Sequence, residues 1–142
     1  MYNVDYSNYF SGLFNMASSC SDYIGPSYVD CDCLDSNNFK AGFAEIYEIP
    51  EKELELEKMD STYEELLKTI FGDNKKIIEG ISHWSKIKLG EVQEIYTINE
   101  LSKIDKYISA SEGGLGPFYT LDDIYFIVFK KEVLVLLIGN DE

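Results

Sequence analysis

The sequence contains no arginine, so all twelve of its basic residues are lysines, against 26 aspartates and glutamates. Arginine's planar guanidinium makes two-pronged contacts with phosphates and guanine edges, whereas lysine offers only a point charge. The net charge of −14 also repels other polyanions. We therefore expect no direct binding of nucleic acid and no attachment to anionic membranes. A genome rich in A and T would also favour lysine over arginine, and the two explanations are compatible.

Long apolar runs are absent as well. The run Val133–Ile138 has six residues, whereas a helix needs about 20 to span a bilayer. The first ten residues lack the positive and apolar regions of a secretory signal. These absences predict a cytoplasmic protein. With 142 residues and 45% hydrophobic side chains, we expect a single domain, residues 1–142, with a substantial core.

Metal-binding and disulfide-forming residues are scarce. The chain has one histidine, His83, and three cysteines, Cys20, Cys31 and Cys33. A structural zinc site needs four ligands, usually in paired cysteine knuckles, and this spacing does not supply them. An odd number of cysteines in a cytoplasmic chain also disfavours disulfides. We expect no bound metal and no cofactor, with Cys31 and Cys33 acting as small core residues of a strand.

The acidic segment that follows Val29 resembles the beginning of an EF-hand loop but does not complete it. Asp30 and Asp32 occupy its first and third positions. The sixth position, where such loops need glycine, is Asp35, and the twelfth, where they need glutamate, is Ala41. The sequence therefore predicts no dedicated calcium site.

Catalytic motifs are missing too. A serine or cysteine nucleophile would have to use His83 as its base, since the chain has no other histidine. No G-x-S-x-G turn and no glycine-rich phosphate loop is present. We expect a protein that is not an enzyme. A small enzyme using His83 or an acidic metal site is the less favoured alternative.

Hydrophobic spacing divides the chain into helices and strands. Apolar residues three or four positions apart predict helices over 5–17, 63–71, 73–85 and 99–108. Strands are predicted over 28–34, 39–49, 90–98 and in two runs around Lys130–Glu132, and a turn over 109–117. The charged segment 50–60 fits a helix or an edge strand, and both remain open. The sum is a single α+β domain, in which helices pack on a mainly antiparallel sheet with a buried C-terminal hairpin.

Two details of the predicted helices can be compared directly with a structure. Ser61 and Glu64 fit a capping box at the start of the helix over 63–71, and Gly72 fits its end. In the next helix, we expect Trp84 to face the core together with Ile77, Ile78 and Ile81.

The negative charge is concentrated in the first half of the chain. Residues 1–39 contain five aspartates and no basic residue, and residues 41–72 contain nine acidic and three basic residues. Carboxylates mixed with tyrosines suit a surface that faces a basic protein, since charge steers association and tyrosine contributes contact area. The predicted partner-binding residues, all expected to be exposed, are Asp30, Asp32, Asp35, Glu51, Glu53, Glu55, Glu57, Tyr23 and Tyr28.

These features predict a small, acidic, non-enzymatic inhibitor of a nucleic-acid-handling protein. One setting is a counter-defence protein of a phage or mobile element, an anti-CRISPR or anti-restriction protein that mimics nucleic acid. The alternative is an immunity protein that neutralises a toxin nuclease. Acidity that serves only solubility remains a third explanation. The sequence leaves the oligomeric state open.

Overall fold

The computed structural model describes residues 4–20, 28–110 and 119–141. It confirms the α+β class: five helices pack on a five-stranded sheet of order β1-β5-β4-β3-β2, in which every neighbouring pair is antiparallel. The helices are α1 Val4–Cys20, α2 Phe39–Ile46, α3 Tyr63–Phe71, α4 Lys75–Leu89 and α5 Asp105–Ala110, with 3-10 turns at Glu51–Glu53 and Leu101–Lys103. The strands are β1 Tyr28–Asp35, β2 Leu56–Lys58, β3 Val92–Ile98, β4 Tyr119–Phe129 and β5 Glu132–Asp141. The turn predicted over 109–117 lies largely outside the described residues.

The C-terminal hairpin forms the centre of the fold, as predicted. β4 and β5 pair with each other, and β3 and β1 flank them. Along β5, Leu134 and Leu136 point into one core while Val133 and Val135 point into the other. All four side chains are fully buried. Both faces of this strand are covered, which explains why its sequence is continuously apolar rather than alternating.

Three helices cover one face of the sheet. Phe10 and Phe14 of α1 pack with the apolar faces of α3 and α4 against Leu134 and Leu136. The rings of Phe14 and Phe71 stack in parallel, with their centres 5.8 Å apart. This first core therefore joins the N-terminal helix to the middle of the chain. None of the helices in the described ranges has the length and hydropathy of a bilayer-spanning segment.

The other face is covered by α2, α5 and the two 3-10 turns. Its centre is Phe126, whose ring lies 5.0 Å from that of Phe43 in an edge-on arrangement and 5.8 Å from that of Phe39. The strand predicted over 39–49 is therefore wrong, because this segment forms α2. Phe39, Phe43 and Tyr47 are four positions apart, a spacing that fits a helix as well as an alternating strand. Contact with Phe126 selects the helix.

The charged segment 50–60 contains neither a long helix nor a long strand. It forms the 3-10 turn after Pro50 and then the three-residue edge strand β2. Between them, Leu54 is fully buried in the second core. Leu54, together with the half-buried Leu56, thus anchors the charged segment to the second core, while its glutamates remain near the surface.

The starts of two predicted helices differ from the predictions. The capping box at α3 begins one residue later, since Thr62 Oγ1 accepts from Glu65 N and Glu65 returns a bond to Thr62 N. Gly72 ends α3 as predicted. The helix predicted over 99–108 begins later, as the 3-10 turn Leu101–Lys103 followed by α5, and Asn99 bonds to Glu55.

Trp84 does not face the core, contrary to the prediction, and it is 49% exposed. The inward face of α4 instead carries Ile81, Ser85 and Leu89. Ser85 Oγ lies 2.8 Å from the buried hydroxyl of Tyr63. A small polar side chain fits there, because that hydroxyl requires a partner. Trp84, the residue before Ser85, lies about 100° away from it around the helix axis.

Candidate partner-binding surface

The predicted acidic residues fall into two groups at opposite edges of the sheet. The three aspartates lie on β1, whereas the four glutamates lie on β2 and in the turn before it. Four strand spacings separate these edges, or about 19 Å at about 4.8 Å per spacing. The residues therefore form two surfaces rather than one.

Helix α1 covers the outer edge of β1 with a row of polar side chains. The backbone N–H groups of Cys33, Cys31 and Val29 donate to Ser7 Oγ at 2.7 Å, Ser11 Oγ at 3.0 Å and Asn15 Oδ1 at 3.0 Å. These contacts occupy groups that an edge strand otherwise presents to other chains. The row was not predicted from the sequence, although its i, i+4, i+8 spacing is visible there.

Asp30 lies partly under this helix and is half-buried. Its carboxylate accepts from the Cys31 N–H at 3.0 Å and lies 3.3 Å from Ser11 Oγ. Burial raises the pKa of Asp30 above its ordinary value of 3.8, and the two hydrogen bonds oppose that shift. This aspartate is therefore only partly available to a partner.

Asp32 was expected to be exposed, and this expectation is wrong. Asp32 is only 5% exposed, and Tyr47 Oη donates to its carboxylate at 2.7 Å. The alternation of β1 correctly places Asp32 opposite the cysteines, but helix α2 covers that face instead of water. Asp32 is thus a buried, hydrogen-bonded group of the second core.

The other residues predicted on this side differ in how far the structure describes them. Asp35 is half-buried and accepts from Asn37 N at 3.0 Å. With Glu45 and Phe39, it lines an open cleft of about 470 Å³. Tyr23 lies outside the described residues, and Tyr28 belongs to β1 but its side chain lies outside them. For these residues, partner binding stays a prediction.

The second group, which we call the β2 surface, carries five carboxylates on β2, on the turn before it and at the end of β3. Its members are Glu51, Glu53, Glu55, Glu57 and Glu100. Three of the four glutamates predicted to bind a partner are exposed, Glu51, Glu55 and Glu57, whereas Glu53 is half-buried. Tyr107 Oη donates to Glu53 Oε2 at 2.8 Å. This contact, like that of Asn99 with Glu55, holds the carboxylates in defined positions.

Lys103 lies among the carboxylates of the β2 surface, and their negative charges shift its pKa. Its ammonium group is 2.8 Å from Glu100 Oε2. The pKa of Lys103 is raised, first by Glu100 and then by the charges of Glu55 and Glu53. Three carboxylates, two from the charged segment 50–60 and one from the turn after β3, therefore act on one ammonium group. The sequence did not predict this convergence, because Glu100 is distant from the charged segment along the chain.

Cys31 and Cys33 lie in the core, whereas His83 lies on the surface. Cys31 and Cys33 are buried in the first core as predicted, and burial raises the pKa of both thiols. His83 is exposed on α4 beside Trp84, with ring centres 5.8 Å apart. Within the ranges that the structure describes, no three His, Cys, Asp or Glu side chains are placed to share a metal ion.

Comparison with known proteins gives no relative from which a function could be transferred. No protein-family model matches the chain, and searches of curated proteins and of solved structures returned no significant match. The functional interpretation therefore depends on the surfaces described above.

Proposed function

We propose that this protein is a non-enzymatic inhibitor that binds the basic surface of a nucleic-acid-handling protein through its β2 surface. The observation that carries the proposal is the grouping of Glu53, Glu55 and Glu100 at the β2 edge, where Lys103 lies 2.8 Å from Glu100 and Tyr107 and Asn99 hold the other two carboxylates. Carboxylates so close together repel one another, and a cationic partner relieves that repulsion on binding.

The arrangement of the β2 surface supports mimicry of a nucleic-acid backbone. Glu55 and Glu57 are two positions apart in extended chain, so they lie on the same side about 6.7 Å apart. Regularly spaced negative charges along a rigid edge resemble the phosphates of a strand. Because Tyr107 and Asn99 already hold two of the carboxylates, less side-chain freedom is lost on binding.

The overall charge supports the same function. With a net charge of −14, the protein attracts a basic partner at distances up to about the Debye length. The same charge repels nucleic acid. The setting that we propose is counter-defence by a phage or mobile element, in the cytoplasm, where the nucleases of bacterial defence act.

The experiment that tests the proposal has two steps. The tagged protein captures partners from the native host, and each captured protein is then purified and assayed alone. We expect a nucleic-acid-binding protein whose activity this protein inhibits, and whose complex with it is displaced by the partner's own nucleic acid. A partner that binds the protein and nucleic acid simultaneously, without inhibition, would show the proposal to be wrong.

A further inference from the structure

The outer edge of β2 presents backbone groups that β3 does not use. Glu55 O accepts from Asn99 N at 2.9 Å, and Met59 N donates to Ile95 O at 2.8 Å. In an antiparallel pair, hydrogen-bonded positions alternate with positions that point away. The backbone groups of Leu56 and Lys58 therefore point out of the sheet. Neither residue has a backbone partner within the part of the chain that the structure describes.

The two edges of the sheet differ in this respect. At β1, Ser7, Ser11 and Asn15 occupy three consecutive outward N–H groups. Among the described residues, β3 on the inner side is the only element that packs extensively against β2. The edge of β2 is thus the one open to an added strand.

We propose that an extended, lysine- or arginine-rich segment of the partner adds to β2 as a sixth strand of the sheet. This inference rests on the proposed function and names its mode of binding. Backbone groups of the segment would pair with Leu56 and Lys58, which gives affinity without a sequence requirement. Its basic side chains would lie beside Glu55 and Glu57, which are exposed on the same face of β2.

Charge complementarity selects this occupant over a second copy of the chain. Two copies would bring together two net charges of −14, and the carboxylates of both edges would face one another. The lysine of β2, Lys58, is already 3.7 Å from Glu94 of its own chain. A basic segment instead places its positive side chains beside the carboxylates of Glu55 and Glu57.

The probe for this edge is a synthetic seven-residue peptide that alternates lysine with valine or threonine. A second peptide of the same sequence carries N-methyl groups on alternate backbone nitrogens, so that its charge is kept and its pairing edge is blocked. Titration followed by amide NMR should give the largest shifts at Leu56 and Lys58. Methylation should weaken binding about tenfold or more, since it removes at least two backbone hydrogen bonds.

A matched pair of variants tests the same contact from the protein side. Lys58→Pro removes an outward N–H but keeps the bonds of Glu57 and Met59 to β3, and proline is tolerated at such edge positions. Lys58→Ala removes the same side chain and keeps the N–H. We expect Lys58→Pro to bind the peptide about tenfold more weakly than Lys58→Ala. If Lys58→Pro fails to fold, the methylated peptide still decides the question.

Three outcomes would overturn the inference. Equal binding of both peptides would show that charge alone holds the segment, and absence of binding at millimolar peptide would show that the edge takes no basic strand. Self-association of the free protein through β2 would make a second copy the occupant. None of these outcomes bears on inhibition of the captured partner, so failure here is distinguishable from failure of the proposed function.

Discussion

Ser11 Oγ accepts a hydrogen bond from the backbone N–H of Cys31 at 3.0 Å, although the two residues are 20 positions apart in the chain. The contact is the middle one of three between α1 and β1. Four residues of helix advance about 6.0 Å and two residues of strand about 6.7 Å, so the two backbones stay in step over this length. Helix α1 thereby takes the place of another strand at the β1 edge.

Ser7→Ala should destabilise the fold by about 1–3 kcal/mol, because it leaves the buried Cys33 N–H without this acceptor. Asn8→Ala is the matched control, since Asn8 is the exposed next residue of the same helix. Urea denaturation of both variants gives the comparison. Equal midpoints would mean that the polar row contributes nothing beyond the packing of Phe10 and Phe14.

Leu136→Ala should destabilise the protein by about 2–5 kcal/mol, because Leu136 is fully buried in the central hairpin. Leu54→Ala should have a comparable effect despite its place in the charged segment, since Leu54 is fully buried as well. Leu56, half-buried at the edge, is the control with a smaller effect. A mild effect of Leu54→Ala would indicate that the charged segment detaches from the core at little cost.

The sequence predicts those elements whose hydrophobic pattern is compatible with only one structure. A run such as Val133–Ile138 can be satisfied only by burial on both faces, and it forms the centre of the sheet. The spacing of Phe39, Phe43 and Tyr47 fits two periods, and only contact with Phe126 decides between them. A local pattern therefore determines a helix or strand only where every other secondary structure of the segment would leave apolar side chains exposed.

The candidate site was harder to predict for a different reason. The aspartates of β1 and the glutamates of β2 are about 20 positions apart in sequence, yet β5, β4 and β3 lie between them. Strand order depends on contacts with the end of the chain, which no local pattern contains. For the same reason, alternation gave the correct face for Asp32 but not its burial under α2.

Stability should rise as the pH falls from about 7 towards about 4, and Asp30 should contribute to this rise. Burial raises its pKa in the folded protein above 3.8, so the folded state binds a proton before the unfolded state does. Asp123 acts in the same direction, since burial and then the charge of Asp122 raise its pKa. Glu64 acts in the opposite direction, but only below its ordinary pKa of 4.5, because its own pKa is lowered by Ser82.

Asp30→Asn isolates this contribution, since it keeps an acceptor for the Cys31 N–H. The variant should be more stable than the wild type at pH 7 and should gain less stability on acidification. Asp60→Asn, which removes one exposed carboxylate, controls for the change in net charge. The free energy of unfolding, measured between about pH 7 and about pH 4, checks both variants. The same pH dependence in all three proteins would assign the rise to general charge repulsion.

Replacing Glu51, Glu55 and Glu57 together by lysine should slow association with the captured partner about tenfold or more at low salt, and should flatten the salt dependence of the association rate. Glu53 is left unchanged, because Tyr107 donates to it and its loss would disturb the fold. The control replaces Glu48, Asp73 and Glu79 by lysine. These residues are equally exposed but lie elsewhere, so the change in net charge is the same. Binding kinetics at two salt concentrations separate the two variants: if both slow association equally, the total charge steers the partner and the β2 surface has no special part in binding.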